Sequence, residues 1–361
     1  MSRAAPRHLL STVSWRLRVA DHAAFLRHAQ PFSSSSASFP PRHPSEELTL
    51  CERARSFFQF ERPAENVFRT SNTWTTGQQS PKAAFGGLIM AQALSAAEQT
   101  MTHEFKPHSL HSYFILNVDT SKPVEYCVRL LRDGRSFKTR SVEAIQEGKV
   151  VFCLQASFHK PEADSCVHQF PYPAEVPPAE ECPSLKMATS ELLERLESGE
   201  IISSEKTKAA LARYNQVDYT KWIFDCRTTD AQALFGFKPI PNRGLYFWVK
   251  SKVPLAGQDE RIHRWLALFI SDAMPVTSVV RPHAKNNFSV SMLFSLDHSM
   301  HFHHSEIRAD EWLLYEIESP IAAGGRGFAR GRLWRKDGRL LASVCQEVLV
   351  RTKGEVSRID N

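Results

Sequence analysis

The alternation of apolar and polar positions runs through the same succession of elements twice in this chain. In the first half, the run Leu88–Thr100, with Met90, Ala91, Ala93, Leu94 and Ala97, is apolar almost all round and predicts a buried helix. A strand is expected before it, near Asn66–Thr75, and Phe85-Gly86-Gly87 leads into it. Two glycines at a helix start let another backbone or a ligand approach closely. Period-two runs predict strands near 108–117, 123–132, 136–146 and 149–159, with turns at Asp133-Gly134 and Glu147-Gly148. The second half predicts a strand near 244–252, a helix near 260–274, and strands near 289–298, 310–318, 327–336 and 339–351. Gly325-Arg326-Gly327-Phe328 repeats Gly134-Arg135-Ser136-Phe137, and Asp337-Gly338 repeats Glu147-Gly148. The repeat is too long for a solenoid and points to a duplicated domain.

One buried helix followed by antiparallel strands, twice, implies an α+β architecture in which each sheet wraps its helix. That is a tandem hot-dog, with copies at 46–160 and 241–354. The segment 161–240 joins them. Its first part is dense in proline (Pro161, Pro171, Pro173, Pro177, Pro178, Pro183) and excludes regular structure, while 189–213 reads as helix.

Residues 1–45 stand apart. Six arginines against the single acid Asp21 give this tail +5 of the chain's net +6, so the body is close to neutral and gives no support to nucleic-acid binding. Leu10, Val13, Leu17, Ala20 and Ala24 recur at helical spacing, and a Ser33–Ser36 run follows. Such a basic, acid-poor tail fits a mitochondrial transit peptide and a matrix location, with a plain extension and a peroxisomal or cytosolic location as alternatives. The chain ends Arg358-Ile359-Asp360-Asn361, without the peroxisomal tripeptide. No apolar stretch is long enough to cross a bilayer. The seven scattered cysteines contain no C-x-x-C pair, which fits a reducing compartment.

Three polar residues of the second copy are candidates for chemistry. Asp272 falls late in Trp265-Leu266-Ala267-Leu268-Phe269-Ile270-Ser271-Asp272, where desolvation would raise its pKa toward that of a general base. The alternative is a helix cap facing water. Gln346 alternates with Ala342, Val344, Val348 and Val350, so its amide must find buried partners. Ser295 shares a face with Ser291, Asp297 and Ser299, opposite Val290, Met292, Phe294 and Leu296, and reads as solvent-facing. His298, His301, His303 and His304 lack the H-E-x-x-H spacing and divide between two strand faces, so no metal is expected. No Rossmann or P-loop glycine pattern is present, and no cofactor is expected.

Phe85-Gly86-Gly87, Pro107–Phe114, Arg132–Phe137 and Gln155–Phe158 resemble the first hot-dog of the acyl-CoA thioesterase II (TesB-type) family. Ser271-Asp272, Leu296–Met300, Glu311–Tyr315, Arg326–Phe328 and Gln346-Glu347 resemble the second, so the likeness covers roughly 55–352 in order. It implies hydrolysis of acyl-CoA, with Asp272 polarising a water that Ser295 and Gln346 hold, and no acyl-enzyme. A helix N-terminus is then the natural oxyanion site. The motifs add Gly86, Gly87, His111 and Arg326 as substrate-binding candidates, and the family implies a homo-oligomer. Three departures stand out. Leu88 follows Phe-Gly-Gly where the family usually has Gln, His301 replaces a Trp, and the peroxisomal relatives' C-terminal tripeptide is missing. A non-catalytic acyl-CoA-binding or scaffold protein and a hot-dog enoyl-CoA hydratase are the competing readings. The hydratase would need an Asp/His dyad, and Asp297-His298 face opposite ways on a strand.

Overall fold

The computed structural model describes residues 49–70, 84–240, 244–255, 257–283, 288, 290–354 and 356–359. The tail 1–45 and the end of the strand expected at Asn66–Thr75 lie outside them. A capping box between Thr49 and Glu52 starts α1 (Leu50–Ser56), which leads to β1 (Phe60–Ala64) and β2 (Val67–Thr70). The first copy continues with α2 (Gly86–Glu98), β3 (Lys106–Phe114), β4 (Glu125–Asp133), β5 (Phe137–Gln146) and β6 (Lys149–His159). After the proline stretch come α3 (Leu185–Glu197), α4 (Glu205–Asn215), β7 (Phe224–Thr228) and α5 (Ala231–Leu234). The second copy holds β8 (Leu245–Ser251), α6 (Arg261–Ser271), α7 (Pro275–Val280), β9 (Val290–Ser295), β10 (Asp297–Phe302), β11 (Leu313–Ala323), β12 (Arg326–Arg335) and β13 (Leu340–Thr352).

All strand pairs are antiparallel, and the sheet runs β1-β2-β4-β5-β6-β3-β10-β13-β12-β11-β8-β7, with β9 joined to β13. Within it, β2-β4-β5-β6-β3 of the first copy and β8-β11-β12-β13-β10 of the second have the same order. They meet where Tyr113 pairs with Asp297 and Ser109 with His301, so one sheet serves two helices. Every residue of α2 from Gly87 to Glu98, and of α6 from Ile262 to Ser271, is buried. The two helices pack against each other. Phe269 of α6 stands in an aromatic cluster with Phe57, Phe85 and Phe224.

Three features depart from the expectations. The helix expected over 189–213 is two helices, because Gly199 turns the chain at positive φ and Ser204 caps a new start on the Thr207 amide. The segment between the copies also adds a strand, β7, to the edge of the sheet at β8. Finally, the strand expected at 289–298 is broken. Ser295 pairs with Val348 and Ser299 with Cys345, so Leu296, Asp297 and His298 oppose only Gln346 and Glu347. This is a β-bulge, in which the Asp297 carboxylate accepts the Glu347 N–H at 2.6 Å. The bulge changes which way the preceding residues point. Met292 and Phe294, expected inside, are 52% and 60% exposed.

Candidate active site

Asp272 caps the C-terminus of α6 but does not reach water, being 4% exposed. Of the two readings its position allowed, burial holds. Gln346 points inward from β13 and is fully buried. Its amide nitrogen donates to Asp272 Oδ1 at 2.8 Å and to Ser295 Oγ at 2.5 Å. Ser295 donates to the same Asp272 oxygen at 3.2 Å. The bulge explains how a serine expected to face solvent reaches this position. With one extra residue in the strand, Ser295 and His298 both turn toward Gln346, which strict alternation forbids.

The first copy supplies the rest. The N-terminus of α2 faces Asp272, and the Gly87 N–H donates to the carboxylate. A Cβ at Gly86 would lie 2.8 Å from Asp272 Oδ2 and 2.7 Å from the Phe114 ring. A Cβ at Gly87 would lie 2.2 Å from the Phe269 carbonyl oxygen. Glycine is required at both places by close approach. Burial drives the Asp272 pKa up to about 7, against the downward pull of hydrogen bonds from Gln346, Ser295 and Gly87. The positive end of the α2 dipole favours the ionised form. Such a carboxylate can accept a proton near neutral pH, beside two side chains that can hold a small polar molecule.

Two descriptions of known domain families match the chain, the acyl-CoA thioesterase N-terminal domain over residues 73–159 and its C-terminal domain over 203–350. Human acyl-coenzyme A thioesterase 8 is 35% identical over 293 residues, which are 81% of this chain and 87% of the relative. The chain belongs to the acyl-CoA thioesterase II family. A Saccharomyces cerevisiae member, peroxisomal acyl-coenzyme A thioester hydrolase 1, is 25% identical over 311 residues, 74% of this chain and 85% of the relative. Among solved structures, the acyl-CoA thioesterase II TesB2 of Mycobacterium marinum superposes with a TM-score of 0.63 at 29% identity, covering 83% of this chain and 98% of that one.

Of the thioesterase-family residues singled out in the sequence, Asp272, Ser295, Gln346, Gly86 and Gly87 come together. His111 and Arg326 do not. His111 lies on the exposed face of β3 against the His301 ring, and Arg326 pairs with Glu347 on the side of β13 away from Gln346. The histidines of 298–304 also separate: His298 points inward, while His303 bonds Ser343. Sequence reasoning weighed His298 only for a metal site or a hydratase dyad and missed its place behind Gln346. Fully buried, its Nδ1 lies 3.0 Å from Gln346 Oε1 and its Nε2 2.9 Å from Ser271 Oγ. Its pKa is pushed down to about 4 by burial, so the ring is neutral. The alternation of His298 with Met300 and Phe302 was the available signal.

Proposed function

We propose that the protein hydrolyses fatty acyl-CoA to free fatty acid and CoA by direct attack of a water held by Asp272, Ser295 and Gln346. The observation that carries this reading is a buried carboxylate, with its pKa raised to about 7, whose donors Gln346, Ser295 and Gly87 are all neutral. The carboxylate takes a proton from the water as its oxygen bonds the thioester carbon. Ser295 and Gln346 fix the direction of attack and so remove part of the entropic barrier. The N-terminal turn of α2 receives the developing oxyanion, a role suited to helix-end N–H groups. The C–S bond then breaks, and the CoA sulfur leaves with the proton. A hydratase would need Asp297 and His298 to converge on one substrate, yet Asp297 accepts the Glu347 amide while His298 points into the core.

Three further elements belong to this reading. The hot-dog copies occupy 46–160 and 241–354, joined by 161–240. The exposed apolar side chains Tyr113, Met292 and Phe294 support self-association, which light scattering of the purified chain tests. The basic tail directs import to the mitochondrial matrix, and the location of a fluorescent protein fused to residues 1–45 tests that.

The deciding experiment is thiol release from acyl-CoAs of short to very long chain. Asp272→Ala and Gln346→Ala are each expected to lose at least about 10²-fold in kcat. Full activity in Asp272→Ala would overturn the mechanism. Saturable acyl-CoA binding without thiol release by the unaltered protein would favour a binding protein instead.

A further inference from the structure

With the His298 ring neutral, the hydrogen-bond chain behind Gln346 admits two arrangements of its protons, and they differ in what Gln346 shows to Asp272. The Ser271 hydroxyl has one proton and two neighbours, Leu268 O at 2.8 Å and His298 Nε2 at 2.9 Å. If the proton goes to His298 Nε2, the bond to Leu268 O is given up, and the neutral ring carries its own proton on Nδ1 and donates to Gln346 Oε1 at 3.0 Å. The Gln346 NH2 group is then committed to Asp272 and Ser295, with both of its protons used. If the proton goes to Leu268 O, the ring must donate from Nε2 to Ser271, and its bare Nδ1 faces Gln346. The amide must then turn over, which sets its oxygen against Asp272 Oδ1 at 2.8 Å. Two acceptors at that distance are compatible only with a protonated Asp272.

We propose that Ser271 and His298 are a positioning pair that fixes the orientation of the Gln346 amide, so that its NH2 group faces Asp272 and Ser295. The role rests on the thioesterase reading, in which the ionised carboxylate is the base. Neither residue touches the water; both act through Gln346. The pair is itself held in place. The Tyr315 hydroxyl donates to Ser271 O at 2.6 Å, and Ser112 Oγ donates to His298 O at 2.8 Å. The groups facing Asp272 are the Gly87 amide from α2, Ser295 from β9, Gln346 from β13 and Tyr315 from β11. Without a donor at position 298, Gln346 Oε1 loses its partner, and only Asp272 and Ser295 are left to hold the amide in the orientation that favours the carboxylate. The base then titrates at higher pH.

Two measurements test this on the full chain. The first is the 15N shift pattern of the His298 ring at pH 8, assigned by difference from His298→Asn. An Nδ1–H tautomer is expected. An Nε2–H tautomer would overturn the proposal, and this measurement needs no activity, so it separates failure here from failure of the thioesterase reading. The second is the pH profile of kcat. His298→Leu is expected to lose about 10²-fold in kcat with KM nearly unchanged, and to move the acidic limb to higher pH. His298→Asn places an amide donor where Nδ1 stood, and should recover much of the rate and return the limb. Ser271→Ala, which deletes one oxygen and folds more securely, should move the limb in the same direction by less. An unmoved limb in both His298→Leu and Ser271→Ala, with rates falling only as melting temperature falls, would reduce the pair to packing.

Discussion

A carboxylate with neutral partners in a buried site is unusual enough to set a measurable pH dependence. Asp272 has a pKa raised from 3.8 to about 7 because burial outweighs the three hydrogen bonds it accepts. A base acts when unprotonated, so activity is present above that midpoint and is lost as pH falls through it. The expected profile of kcat/KM has an acidic limb near pH 7, falling about tenfold per unit below it. A limb near pH 4, where an exposed aspartate titrates, would show that Asp272 is not the base. Ser295→Ala keeps the carboxylate and the amide but removes one holder of the water. It should therefore lose less rate than Asp272→Ala in the same thiol-release assay. The partners of Gln346 could not be read from one-dimensional alternation. Its burial followed from the valines beside it, but Ser295 and His298 reach it only because an extra residue at 296–298 reverses the parity of the strand. A bulge of this kind has no reliable composition signal, since it depends on the partner strand's register.

At the level of elements, the site is made by two helices that approach each other through glycine. The apolar run after Phe85-Gly86-Gly87 was sufficient to place α2 in the core. It could not say that the N-terminus of that helix would meet the C-terminus of α6, because the contact is between copies about 180 residues apart. The two glycines separate stability from activity. Gly87→Ala would bring a methyl within 2.2 Å of the Phe269 carbonyl, so the helices must part. A loss of roughly 1–3 kcal/mol in denaturant unfolding is expected. Gly86→Ala meets a side-chain ring and the Asp272 carboxylate instead. Its expected effect is a fall of about 10²-fold in kcat, with a smaller loss of stability, because a displaced base is costly even when the fold adjusts. Equal stability losses in the two variants would contradict this division. The linker was legible in its prolines but not in β7, whose five residues are set by their pairing with β8.

Across the whole molecule, duplication gives two ends to the antiparallel pair α2 and α6, and each end holds a buried carboxylate. At one end is Asp272, met by the first turn of α2. At the other is Glu98, at the C-terminus of α2, met by the first turn of α6. There the resemblance stops, for Arg264 donates to Glu98 Oε1 at 2.8 Å, Trp265 donates to Oε2, and Arg261 reaches the Glu98 carbonyl. Glu98 is met by a guanidinium and an indole N–H, whereas Asp272 is given only neutral donors and has its pKa raised to about 7. The same scaffold therefore carries a clamp at one end and a base at the other. Arg264→Leu tests the clamp. It leaves Glu98 buried without its cation, and a loss of roughly 3–5 kcal/mol in unfolding free energy is expected at pH 8. The loss should be smaller when Glu98→Gln is already in place, since no charge is then left buried without its cation. An equal loss in both backgrounds would mean that Arg264 contributes by packing, and that the contrast between the two ends is not electrostatic.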